Sequence, residues 1–180
     1  METNLPPIVE GIKDGNILYK PLANVDYGTI GFVLICHLII EHYMGEFLKT
    51  KHPDLYWSGA RLKFIKMVEL LSKYPDKEDN LITPSLRCLN TLRNKFSHDM
   101  NYKMQDEDLQ PLVLILKRFN EEGESIPTNK IEILCKYTYK VCLWLAQALE
   151  LTVNWVPFYE DLMAWAKQNG INLTSLAEPD

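Results

Sequence analysis

Few side chains in this chain can move protons or electrons near neutral pH. Its 180 residues include only four histidines and four cysteines. The cysteines (Cys36, Cys88, Cys135 and Cys142) form no Cys-x-x-Cys pair and no metal-ligand spacing, which excludes a zinc ribbon or a dithiol redox motif. Three lie among apolar neighbours, where a free thiol behaves as a small hydrophobe. A reduced, cytoplasmic setting is therefore expected. Gly28-Thr29-Ile30-Gly31 lacks the Lys-Ser/Thr ending and the preceding strand of a phosphate loop. The first residues, Met-Glu-Thr-Asn-Leu-Pro-Pro, have neither a basic region nor an apolar run, so no secretory signal is expected. The most apolar stretch, residues 31–40, falls short of the roughly 20 needed to span a bilayer, and no membrane span is expected. Internal repeats, low-complexity segments and a basic helix-turn-helix are also missing. Sequence-specific DNA reading is thereby disfavoured.

What is present is an ordinary globular composition, 47% hydrophobic and 24% charged, with an uneven charge distribution. The net charge is −5, which argues against general coating of DNA. Residues 49–103 nevertheless hold eleven Lys or Arg against six Asp or Glu, whereas the remainder holds eight against eighteen. A basic segment on an acidic protein suits an anionic ligand. Solvated helix faces produce the same asymmetry by chance.

Apolar spacing predicts an all-α bundle of five or six helices, with no sheet beyond a short ribbon. Residues 1–25 read as an irregular arm, residues 26–170 as one helical domain and residues 171–180 as a loose tail. Asp26 or Thr29 opens a first helix to about residue 50 that is apolar nearly all round, and His52-Pro53 stops it. A second helix is expected from about Ser58, with Leu62, Ile65, Val68 and Leu70 on its apolar face. Thr83-Pro84 predicts the start of a third, by a capping hydroxyl and a proline at the first helical position. Further helices are expected over residues 112–119, 128–150 and 157–169, the last closed by Gly170.

The third helix carries the chemistry. Setting Leu86 at zero and advancing roughly 100° per residue puts Leu89, Leu92 and Phe96 on one apolar stripe. Arg87, Asn94 and His98 share a polar face, whereas Arg93 sits at the stripe's edge, about 140° from His98. A histidine exchanges protons near neutral pH, and an arginine presents a charged fork that fits phosphate oxygens. Together they are a minimal kit for cutting RNA without a metal. The structural alternative is a cation stabilising the negative end of a helix. Glu41 is a second oddity, a carboxylate in the apolar first helix between His37 and Gly45. It needs a partner, and Arg93 is the expected one, with Gly45 letting another helix approach. His37 and Glu41 have one-turn metal-ligand spacing but no third ligand in view, so no metal and no cofactor is expected. The aromatics Tyr137, Tyr139, Trp144, Trp155, Phe158, Tyr159 and Trp165 are expected in the core or a dimer surface rather than as base-stacking platforms.

A long first helix bearing a glutamate, the run Gly59-Ala60-Arg61-Leu62-Lys63 and the run Leu92-Arg93-Asn94-Lys95-Phe96-Ser97-His98 together resemble the HEPN superfamily. More narrowly, the layout resembles its mannitol operon repressor-like branch, over roughly residues 27–120. The resemblance implies a dimer in which Arg93 and His98 serve metal-independent RNA cleavage of toxin or phage-defence type, with Asn94 in the polar position beside the arginine. From the residues themselves, Glu41 and Arg87 are expected to support the pair, and Lys95, Arg61 and Lys63 of the basic segment to contact RNA. The resemblance equally implies a non-catalytic alternative, a regulatory or scaffold protein acting through an antitoxin or regulatory partner. In that reading Arg93 and Glu41 pair structurally and His98 caps the helix.

Overall fold

The computed structural model describes residues 9–19, 25–54, 57, 62–73, 79–121, 124–147 and 155–171. Six helices follow a hairpin, in accord with the expected all-α bundle. The hairpin pairs β1 (Val9–Lys13) with β2 (Asn16–Tyr19) antiparallel, Ile12 opposite Ile17. Asp14 and Gly15 turn it with φ of 51° and 79°, both in the left-handed region that a two-residue hairpin turn requires. Part of the expected irregular arm is therefore regular structure. The Asp-Gly dipeptide between two isoleucines was the signal.

Helix α1 (Tyr27–Lys51) begins where the capping residue predicts: the Asp26 carboxylate accepts from the Thr29 backbone N–H at 2.9 Å. His52 closes it, its N–H bonded to the Leu48 carbonyl. Phe32, Cys36, Ile40, Met44 and Leu48 recur every four residues and are fully buried. By length and composition this helix could cross a membrane, in contrast to the short run expected from the sequence. Its neighbours place it as a core helix: it packs along α5 (Lys130–Gln147), with α2 (Phe64–Leu71) and α3 (Asp79–His98) on its other flank. Helix α4 (Gln110–Phe119), entered through a 3₁₀ turn at Glu107–Leu109, lies against α3 and α5, and α6 (Trp155–Gln168) covers α5.

Two helix starts differ from expectation by a turn or more, and those of α4, α5 and α6 by two residues each. Helix α2 begins at Phe64, after an extended Lys63; Phe64, Met67, Val68 and Leu71 form the buried stripe in place of one built on Leu62 and Ile65. Both series have helical spacing, and the burial of Phe64 selects the second. Residues 58–61 lie outside the described residues. Helix α3 begins at Asp79, so Pro84 lies inside it rather than at its first position. Ile82, Ser85, Leu86 and Leu89 are buried at helical spacing, which carries the core stripe past the proline on its upstream side.

The buried hydroxyls of Ser85 and Tyr137 are satisfied. The Tyr137 hydroxyl, completely buried, meets Ser85 Oγ at 2.9 Å, and Ser85 donates to the Ile82 carbonyl. All four cysteines are free; burial pushes the Cys36 thiol up to about 12 and Cys88 up to about 11. The aromatic residues pack as core: Phe32 stacks on Trp165, and Phe47 on Trp144. The Trp155 side chain lies outside the described residues. Gly170 ends α6 at φ 70°, and Ile171, placed in the expected loose tail, is buried instead.

Candidate functional site

The last three turns of α3 hold its polar residues because the apolar stripe turns inward. Leu86, Leu89, Leu92 and Phe96 are 3% exposed or less, which leaves Asn90, Arg93 and Asn94 half-buried at the stripe's border and Arg87, Thr91 and His98 in solvent. The border faces α1. There the His37 ring stacks on Phe64 with centroids 4.0 Å apart, its Nε2 lies 3.4 Å from Asn90 Oδ1, and its Nδ1 lies 3.8 Å from a Glu41 carboxylate oxygen. Burial holds the imidazole's pKa below its ordinary value; the Asn90 hydrogen bond opposes this and the Arg93 charge reinforces it. At neutral pH the ring is therefore uncharged, and the Glu41 contact becomes an ion pair only on acidification.

Arg93 does not pair with Glu41. Its guanidinium donates to Asn94 Oδ1 at 3.1 Å and forms no ion pair among the described residues. The expected Arg93–Glu41 bridge is thus replaced by a histidine contact for the carboxylate and an amide contact for the guanidinium. The predicted role of Gly45 fails too, since a Cβ there would meet nothing within 4 Å. A half-buried arginine with most of its donor fork unused and no carboxylate beside it is poised for an anion.

His98 is the last residue of α3, exposed and without a side-chain hydrogen bond or ion pair among the described residues. On a regular helix its Cα lies roughly 9 Å from that of Arg93, and the two side chains diverge. One chain does not bring them together. Arg87 is exposed about three turns upstream of His98; the Glu69 carboxyl is held below its ordinary pKa chiefly by a hydrogen bond from Lys66, with the Arg87 charge adding to it.

Lys95, an expected RNA contact, already has partners within the chain. Its ammonium bonds the Asp108 carboxylate and the Tyr102 hydroxyl, which raises its pKa, the Asp108 hydrogen bond contributing most. Tyr102 also donates to Asp108, which accepts the Gln105 backbone N–H at 2.7 Å as well. No sequence pattern announces this clamp, because Asp108 lies thirteen residues from Lys95, in the 3₁₀ turn that leads into α4. Lys63 is exposed just ahead of α2. Arg61 lies outside the described residues.

Among the described residues no three His, Cys, Asp or Glu side chains gather as a metal site. Comparison with family models, curated proteins and solved structures returns no match for this chain.

Proposed function

We propose that the chain is a HEPN-like, RNA-directed protein: a metal-independent endoribonuclease of toxin or defence type, acting as a cytoplasmic homodimer. One observation carries the reading. Arg93 is half-buried without a carboxylate partner, on the same helix end that presents an unpartnered His98. In the proposed reaction a ribose 2′-hydroxyl attacks the adjacent phosphate. His98 takes the hydroxyl proton and returns one to the departing 5′ oxygen. Arg93 stabilises the charge that grows on the phosphate oxygens. Asn94, bonded to Arg93, fixes the fork's orientation. Because Arg93 and His98 diverge on one helix, the proposed site is shared across a two-fold axis, Arg93 from one copy and His98 from the other. The mechanism needs the 2′-hydroxyl, so DNA is not cut.

A second reading, a non-catalytic regulatory or scaffold protein, draws on a different observation. Ile12, Ile17 and Leu18 of the hairpin are 63%, 52% and 41% exposed, which suits contact with an antitoxin or another regulatory protein. Incubation of the purified protein with mixed RNAs, with chelator and beside His98→Ala, separates the two. The nuclease reading expects chelator-resistant cleavage that vanishes in the variant. Inert wild-type protein supports the scaffold.

A further inference from the structure

Immediately past His98 the chain forms one wall of a cleft of about 540 Å³. The opposite walls are the start of α1, with Asp26 and Thr29, and the start of α5, with Asn129 and Ile131. Consecutive Cα atoms are about 3.8 Å apart, so Met100, at the cleft wall, lies within about 7.6 Å of His98 by backbone. The cleft therefore adjoins the residue that carries the proposed proton transfer.

The wall has no helical or strand backbone between Asp99 and Asp106, yet it is held from both ends. Asp108 anchors it through Tyr102 and the Gln105 N–H, as described above. From the other side the Lys130 ammonium donates to the Met104 carbonyl at 2.8 Å and pairs with Asp106 at 3.0 Å. Cys88 of α3 reaches the Asp108 carbonyl. A preformed cleft binds without first ordering its own loop.

The lining also has a definite chemistry. Phe96, Met104 and Ile131 are buried and form an apolar floor. Lys130 is balanced by Asp106, while the Asp26 carboxylate, which caps α1 through Thr29, keeps its negative charge. Beside them stand the Asn101 amide, the Thr128 hydroxyl and the exposed Lys103, whose ammonium makes no ion pair among the described residues. An apolar surface with uncharged hydrogen-bonding groups and one unpaired cation in the same lining fits a nucleobase with its phosphate outside. The other large cleft, beside Glu124 and Tyr159, does not fit this ligand. Its two lysines are both bonded to Glu124, which leaves Glu132 and Glu160 facing a polyanion.

We infer that the cleft beside His98 receives an unstacked base of single-stranded RNA, that of the nucleotide next to the cleaved phosphate. The inference rests on the RNA reading given above, and it assigns Asn101 and Lys103 to substrate binding. Its test is amide chemical-shift mapping on the full chain with the four nucleoside 5′-monophosphates, ribose 5-phosphate and inorganic phosphate. Affinity for a 2′-O-methyl RNA oligomer, which cannot be cleaved by 2′-attack, is measured alongside.

Nucleotides are expected to shift residues 100–104 and 129–131, whereas ribose 5-phosphate and phosphate do not. The oligomer binds at least tenfold more tightly than any mononucleotide, and Asn101→Trp, which fills the cleft from an exposed position, weakens it about tenfold. Lys103→Glu weakens it to a similar degree. Equal shifts with phosphate alone, no gain from the oligomer, or an unchanged affinity in Asn101→Trp would each overturn the assignment. RNA cleavage that persists without cleft binding removes the base site and leaves the nuclease. Cleft binding without cleavage removes the nuclease and leaves a nucleotide-binding protein.

Discussion

Arg93 and Lys95 stand two residues apart on one helix, and the fold treats them in opposite ways. Lys95 is exposed, where a cation needs no partner, yet Asp108 and Tyr102 hold it in place. Arg93 is half-buried, where a charge is costly to leave unmatched, yet it has an amide and no carboxylate. The first charge is used in building: with Asp108 it anchors an irregular segment that would otherwise be a loose loop. The second has no ion pair among the described residues. The difference separates a cation that holds the helix end together from the one proposed for chemistry, and charge counting along the sequence does not make that separation.

The comparison breaks most sharply on activity. Arg93→Ala and His98→Ala should each lower RNA cleavage by about 10² to 10⁴-fold, the range for losing an oxyanion stabiliser or a general base. His98→Ala should melt within a few degrees of wild type, since an exposed, unpartnered side chain contributes little to stability. Lys95→Met should retain cleavage to within a few-fold. A Lys95 effect as large as that of Arg93 would erase the distinction between them.

A smaller effect belongs to the anchor. Asp108→Ala strands the Tyr102 hydroxyl and the Gln105 N–H, and should cost roughly 1–3 kcal/mol in thermal or urea unfolding. Lys95→Met, which removes an exposed partner only, should cost about 0–1 kcal/mol. Equal losses in the two variants would show that the ion pair, and not the carboxylate's role as a shared acceptor, holds the segment.

The smallest effect is in pH. His37 has its pKa lowered by burial, so the folded state prefers the neutral ring and binds fewer protons than the unfolded chain. Its contribution is full above the unfolded value of about 6.5 and is lost as pH falls from there through the folded pKa. The carboxyl of Glu124 behaves alike at lower pH. Its burial is outweighed by hydrogen bonds from Lys140 and Lys136, which hold it at about 2, so its contribution is lost from the ordinary carboxylate range down to that value. Melting temperature should therefore decline between pH 6.5 and 5, and His37→Gln should flatten that part of the curve. A slope unchanged in His37→Gln would mean that the ring titrates alike in both states.

How much of this was legible in the sequence follows the range of the interactions. The Asp26 cap, the inward stripe of α3 and the Gly170 terminator depend on neighbours within a few residues, and each stood in the sequence. The hairpin was legible as well, in Asp14-Gly15, but its two strands are short and sit apart from the helical pattern. The start of α2 was ambiguous because two overlapping apolar series compete, and only burial of Phe64 against the bundle decides between them. The partners of the charges were hidden. His37 meets Asn90 across 53 positions and Lys95 meets Asp108 across 13, while Glu41 and Arg93, matched by charge alone, do not bond. Helical spacing assigns a face; which charge on that face finds a partner depends on the tertiary fold.

The central claim is that Arg93 of one copy and His98 of another act on one phosphate. Its most direct test mixes two inactive proteins, Arg93→Ala and His98→Ala, in equal amounts under conditions that exchange subunits, and assays RNA cleavage. Random pairing makes half the dimers mixed, and each mixed dimer has one intact site, so activity should recover to about a quarter of wild type. Sedimentation should show the dimer in each sample. No recovery in a mixture shown to have exchanged subunits, or a wild-type monomer that cleaves RNA, would contradict the shared site.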